Sequence, residues 1–261
     1  MNLELGNKIA LVFGGSKGIG LAIAKGLVNE GSNVCIVSRS LDNLTSAQAS
    51  IGSASGTVAI FQADAGNGDD LSALYEFLLN GIGLPDIVVN NSGGPSMGTF
   101  MDHEESVWMA AFEQHLMSPV RLMKKFSPSM IEKKWGRFIN ISSTVAIEPS
   151  SLMCISATIR SGVAALSKSA SLTLAKTGVT LNTICPGGVT TERLLGLLET
   201  RSKNEGIPVA KLLDDAQKSI PMNRFASPEE IADLAVFLSS DRASYITGRV
   251  HSIDGGLMSS F

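Results

Sequence analysis

Seven short, apolar, β-branched runs alternate along the chain with longer stretches of helical spacing. The runs are Ile9–Phe13, Val34–Ser38, Val58–Gln62, Asp86–Asn90, Arg137–Ser142, Val179–Ile184 and Val250–Ile253. The helical stretches fall near residues 18–30, 41–49, 69–80, 104–133, 157–177 and 228–240. Strands that are apolar throughout must be buried on both faces. The pattern therefore predicts an α/β fold: a doubly wound, predominantly parallel seven-stranded sheet with helices on either side. Ligands of such sheets bind beyond the carboxyl ends of the strands, so chemistry is expected in the residues that follow each strand. No linker, repeat or low-complexity tract interrupts residues 1–261, which fits a single domain. The first helix carries Ile19, Ile23, Gly26 and Leu27 on one face and ends at Gly31. The last opens on Ser227-Pro228-Glu229-Glu230, a cap, a first-turn proline and two acidic residues suited to the helix dipole.

Composition removes several functional classes. Lys and Arg number 21 against 24 Asp and Glu, a net charge of −3 that argues against an extended basic surface for nucleic acid. No segment approaches the roughly 20 apolar residues of a membrane span. Glu4 precedes any apolar run, unlike a signal or transit peptide. Cys35, Cys154 and Cys185 are scattered without CxxC spacing, and His103, His115 and His251 form no HExxH. No metal site is expected, and the pattern fits buried, reduced thiols in a cytoplasmic protein.

Directly after the first strand comes Gly14-Gly15-Ser16-Lys17-Gly18-Ile19-Gly20, opening into a helix. Glycines there permit positive φ and let backbone amides approach a pyrophosphate at the positive end of the helix. The alternative is a tight structural turn; the strand before and the helix after favour the phosphate loop. Further motifs follow in order: Asp64 after the third strand, Asn90-Asn91-Ser92-Gly93 after the fourth, Pro186-Gly187 with Val189 and Thr191 after the sixth, and Ile253-Asp254-Gly255-Gly256 near the end. Together they resemble the short-chain dehydrogenase/reductase family over essentially the whole chain, most nearly its β-ketoacyl carrier-protein reductase-like branch. The resemblance implies a Rossmann-type fold and a nicotinamide cofactor held by the glycine loop, Asp64, Asn91, Ser92, Gly93, Pro186, Gly187, Val189 and Thr191. It also implies a homodimer or homotetramer built through the long helices.

Cofactor choice is read from charge. NAD sites usually place a carboxylate on the ribose hydroxyls about twenty residues after the glycines. Here the second strand ends in Val37-Ser38-Arg39-Ser40. The Arg39 guanidinium suits a 2′-phosphate, with Lys17 as a second cation, so NADP(H) is favoured over NAD(H). The alternative is two solvated surface cations.

The family's catalytic pattern is altered. Its members combine a Ser after the fifth strand, Tyr-x-x-x-Lys on the following helix, and an Asn from the preceding helix. Ser143 matches the serine. Tyr-x-x-x-Lys-x-Gly falls on residues 156–162, with Gly162 fixing the register, so Ser156 stands for tyrosine and Arg160 for lysine. Counted from Trp108, the asparagine position holds His115. Tyr75 and Tyr245, the only tyrosines, lie on other segments. A serine hydroxyl is a far weaker acid than a phenol of pKa about 10, and arginine does not deprotonate in proteins. Arg160 can still hold the nicotinamide ribose.

Several residues are candidates to compensate. His115 could supply the proton, with a reference pKa of about 6.5, or be a helix histidine that merely hydrogen-bonds. Cys154 could face the pocket or be buried as a small apolar residue. Residues 192–220 form a long connection with Leu194, Leu195, Leu197, Leu198, Leu212 and Leu213, expected as two short amphipathic helices of a substrate lid. Leucines there point to an apolar or acyl substrate, and Pro95, Met97 and Trp108 are candidate pocket surface. Two functions remain open: an NADP(H)-dependent oxidoreductase reducing a carbonyl or activated alkene, and a catalytically silent NADP(H)-binding pseudoenzyme, sensor or non-catalytic partner in a mixed oligomer.

Overall fold

A computed structural model describes residues 2–52 and 55–260. In chain order the first half contains β1 (Ile9–Phe13), α1 (Gly18–Asn29), β2 (Asn33–Ser38), α2 (Leu41–Ile51), β3 (Val58–Gln62), α3 (Gly68–Asn80), β4 (Ile87–Asn90) and α4 (Glu105–Ala111). The second contains α5 (Ser118–Glu132), β5 (Gly136–Ile141), α6 (Cys154–Leu174), β6 (Val179–Pro186), α7 (Glu192–Glu205), α8 (Val209–Lys218), α9 (Pro228–Leu238) and β7 (Val250–Ile253). The seven strands form one sheet in the order β3-β2-β1-β4-β5-β6-β7. Every pairing is parallel, so the sheet is parallel throughout rather than predominantly.

Strand residues alternate between two cores. Ala10, Val12, Val34 and Ile36 pack beneath α1 and α9, while Leu11, Phe13, Cys35 and Val37 pack beneath α3 and α5. Both faces are thus buried, which is why the strands read as unbroken apolar runs. On α1, Ile23 and Leu27 are fully buried. A Cβ on Gly26 would lie 2.8 Å from Val236 of α9, so the missing side chain sets how closely the two helices approach. The start of α9 forms a capping box: Ser227 Oγ accepts from Glu230 N, and the Glu230 carboxylate accepts from Ser227 N at 2.8 Å.

Two expected helices differ. Residues 104–133 are not a continuous α-helix; α4 and α5 are separated by a π-helical turn over Phe112–Met117. Pro119 supplies the reason, since it lacks an N–H and its ring would press on the His115 carbonyl one turn back. The helix expected at 157–177 begins earlier, at Cys154, and closes in a 3₁₀ turn after Leu174.

A buried polar chain ties the middle of the sheet to its helices. Asn90 Nδ2 donates to Asn140 Oδ1 (3.1 Å), Asn140 Nδ2 to Ser167 Oγ (2.9 Å), and Ser118 Oγ to Asn90 Oδ1 (3.2 Å). These bonds leave no orphaned amide in the core and fix α5 and α6 against β4 and β5. No helix among the described residues is long and apolar enough to cross a membrane.

Candidate active site

The strand order reverses between β1 and β4, and a cleft of about 950 Å³ opens above their carboxyl ends. One wall is the glycine loop. Gly14 and Gly18 adopt φ of +60° and +51°, which other residues reach only under strain. A Cβ on Gly14 would lie 2.5 Å from the Asn91 carbonyl oxygen, and Asn91 Nδ2 donates back to Gly14 O at 3.3 Å. The loops after β1 and β4 are therefore pressed together. Ser16, Lys17, Gly18 and Ile19 line the cleft. Gly20 does not: a Cβ there would sit 2.1 Å from Gly14 O, so this glycine lets the helix pack against its own loop.

At one end of the cleft, Arg39 stands exposed beside Ser40, Asn43 and Asp64. Arg39 is in none of the ion pairs found among the described residues. Lys17 is in one: its Nζ meets Glu192 Oε2 at 2.8 Å, strapping the glycine loop to the first turn of α7. Asp64 Oδ1 accepts from Gly66 N at 2.8 Å, which shapes the turn after β3.

Ser143, Ser156 and Arg160 line the cleft, as do Pro186, Gly187, Val189 and Thr191, the last of them beside Gly18 of the glycine loop. Ser143 Oγ caps the 3₁₀ turn over Thr144–Ala146. Arg160 lies one turn after Ser156 on α6, donates from Nε to Ser156 Oγ (3.2 Å) and from Nη1 to the Ile141 carbonyl (3.1 Å). Because the guanidinium donates, Ser156 Oγ accepts, and its own hydrogen is free for another acceptor. Burial, then the neighbouring Arg193, pushes Arg160 down to about 10, which still leaves it cationic at neutral pH.

His115 sits on the π-helical turn, buried, with Nδ1 2.9 Å from Ser92 Oγ. Ser92 and Gly93 line the cleft, as does Gln114 beside the histidine, whereas His115 itself stands behind Ser92. Burial first, and the charges of Arg160, Arg193 and Arg39 after it, lower its pKa to about 4 against the weak opposing pull of Asp64. The ring is therefore neutral near pH 7. Cys154 is half buried, and its neighbour Met153 faces the cleft instead. In the segment after β6, Leu194 and Leu197 line the cleft, Leu198 and Leu212 are buried, and Leu195 is exposed.

Arg193 and Leu257 also line the cleft, although sequence reasoning had not singled them out. Arg193 had one available signal. A cation in the first turn of a helix opposes the dipole and invites a reason for its place.

A parallel sheet with a glycine loop at its switch point and a serine just after β5 is the frame of a dinucleotide-binding α/β fold. The chain belongs to the short-chain dehydrogenase/reductase family: residues 14–258 match the family model described as Enoyl-(Acyl carrier protein) reductase. It is 32% identical to a D-beta-hydroxybutyrate dehydrogenase of Cupriavidus necator, over 97% of this chain and 98% of that one. It is 34% identical to a 3-oxoacyl-[acyl-carrier-protein] reductase of Chlamydia muridarum, covering 98% of this chain and all of the relative. The crystal structure of L-sorbose reductase from Gluconobacter frateurii, complexed with NADPH and L-sorbose, superposes with a TM-score of 0.94 at 30% identity and full coverage of both chains.

Proposed function

We propose that this protein is an NADP(H)-dependent reductase of a carbonyl or activated alkene in a small apolar or acyl substrate, with a Ser156–Arg160 pair where family members use Tyr and Lys. The observation that carries the proposal is the Arg160 Nε bond to Ser156 Oγ, inside the cleft and beside Ser143. The cleft fits the cofactor. Its volume suits a dinucleotide, the glycine loop lines it at the start of α1, and the space above Gly93 is open, with nothing within 4 Å of a Cβ built there. Loop amides of Gly14, Ser16, Gly18 and Ile19 would hold the pyrophosphate, and Arg39 the 2′-phosphate. Asp64, Asn91, Ser92, Gly93, Pro186, Gly187, Val189 and Thr191 would line the remainder, with Arg160 at the nicotinamide ribose. When bound, the nicotinamide would supply or accept a hydride.

The chain's own groups do the rest. Ser143 and Ser156 donate hydrogen bonds to the substrate oxygen, and the fixed Arg160 charge stabilises the negative charge that develops there. A neutral His115 holds Ser92 and the loop after β4, and the net proton comes from solvent through the serine hydroxyls. We prefer that assignment to a histidine acid because His115 bonds Ser92 from behind rather than lining the cleft, and its burial also favours the neutral ring. Helices α7 and α8 act as the lid, with Leu194 and Leu197 toward the substrate. Exposed Met109, Phe112 and Leu172 along α4, the π-helical turn and α6 support assembly as a dimer or tetramer. Sedimentation velocity would check this, and a monomer at micromolar concentration would refute it.

The deciding experiment follows NADPH consumption against a panel of ketoacyl thioesters, ketones, quinones and enones, with cofactor binding measured in parallel. Turnover of at least one class is expected. Tight binding without any turnover would instead identify a silent NADP(H)-binding protein. In the binding arm, NADPH should bind at least tenfold tighter than NADH, about 1.4 kcal/mol. Arg39→Asp should erase or reverse that preference, and equal wild-type affinities would refute the role given to Arg39.

A further inference from the structure

Two guanidinium groups converge in the cleft, and among the described residues no ion pair joins either to a carboxylate. Arg160 comes from α6 and Arg193 from the first turn of α7, and both line the cleft. A Cβ built on Gly94 would lie 2.5 Å from Arg193 Nη2 and 3.4 Å from Arg160 Nη2. The two cations therefore reach the same point, a few ångströms apart. Burial pushes both below the ordinary arginine value, and Arg193 pushes Arg160 down further, as expected for like charges held together. The adjacent acid, Glu192, is turned away to Lys17. Arg193 donates to the Pro95 carbonyl at 3.1 Å. Arg160 uses Nε and Nη1, which leaves Nη2 toward Gly94.

A repelling pair kept at a binding cleft is stabilised when an anion lies between its members. The cofactor's phosphates have other hosts in the proposed reading, the glycine loop and Arg39. We propose that Arg193 and Arg160 form an anion subsite that takes a carboxylate of the substrate, whose apolar chain lies against Leu194, Leu197 and Met153. This inference rests on the assignment of the cleft as a reductase site. Arg160 touches Ser156 with one edge and faces Gly94 with the other. Carboxylate and reacting oxygen are then about one guanidinium apart, the spacing of a 2- or 3-oxo acid or its unsaturated counterpart.

Calorimetric titration of the protein in the presence of NADP⁺ tests the subsite without turnover. Hexanoate should bind at least tenfold tighter than its neutral isostere, hexanamide. Arg193→Gln should bring the two within threefold of each other and leave NADP⁺ affinity within threefold of wild type, while Arg193→Lys should keep part of the preference. In the kinetic arm, Arg193→Gln should raise KM for 3-oxohexanoate at least tenfold and leave KM for its methyl ester little changed. Equal binding of hexanoate and hexanamide by the wild type would overturn the inference. So would a loss of NADP⁺ affinity in Arg193→Gln matching the loss of hexanoate, because the pair would then serve the cofactor. Retained hexanoate preference with no NADPH oxidation on either substrate would support the subsite and count only against reduction of a 3-oxo acid there, the panel of carbonyl and enone classes remaining the test of the reductase assignment.

Discussion

Changing Ser156→Tyr and Arg160→Lys together is expected to raise turnover of simple ketoacyl substrates by about 10²–10⁴-fold, the usual contribution of a positioned general acid. The two residues are one helical turn apart on α6 and already in contact, so their replacements would start as neighbours. Ser156 is 1% exposed yet lines the cleft, so a longer side chain at that position extends into the space where substrate must sit. A phenol brings a proton of pKa about 10, and an adjacent ammonium would lower it further. Arg160→Lys alone should do little, having no phenol to activate. Steady-state kinetics on the wild type, the single variant and the double variant separate these cases. A folded double variant that binds NADPH as the wild type does, yet shows no gain, would mean that residue 156 does not address the reacting oxygen.

Much of the architecture was legible because the physics behind it is local. A strand buried on both faces favours apolar residues at every position, and β1 and the middle of β2 show that run plainly. Ser227, Pro228 and Glu230 announce the start of α9 because cap chemistry is confined to one turn. The break between α4 and α5 was harder to see. Apolar spacing continues across it, and only the missing N–H of Pro119 marks where the ladder must widen.

The cleft divides in the same way. Gly14 and Asn91 follow their strands directly, and Ser143 and Thr191 lie in the short turns after theirs, so the strand reading alone places them at one rim. Arg193 stands at the same rim in the first turn of α7, but its contacts with Pro95 and Gly94 in the loop after β4 are ones that no local pattern encodes. Asn90 and Asn140 read as interruptions of apolar strands until their partners Ser118 and Ser167 appear, up to 28 residues away. Long-range hydrogen-bond partners leave no periodic trace. The surroundings of His115 are equally non-local: burial first, and then arginines from α6, from α7 and from the turn after β2, set its charge state.

That charge state gives the second large effect. His115→Asn is expected to remove on the order of 3 kcal/mol of acid sensitivity between pH 7 and pH 4. The sign follows from the direction of the shift. Burial and the arginine charges depress the imidazole from 6.5 to about 4 in the folded protein, while the unfolded chain titrates near the reference value. Above pH 6.5 both states hold a neutral ring, and nothing is lost. As pH falls from 6.5 the unfolded state takes up the proton first, so stability drains away until the folded ring also protonates near 4. Asparagine does not titrate, and it can still offer Ser92 a hydrogen bond. Urea unfolding of both proteins at pH 7 and pH 4.5 isolates the difference, because every other titrating group is common to the two. At the same time, wild-type turnover should show no titration attributable to His115 between pH 6 and 8. If kcat for reduction falls through about 6.5, and the fall disappears in His115→Asn, the ring is the proton donor after all, and the solvent route through Ser143 and Ser156 is wrong.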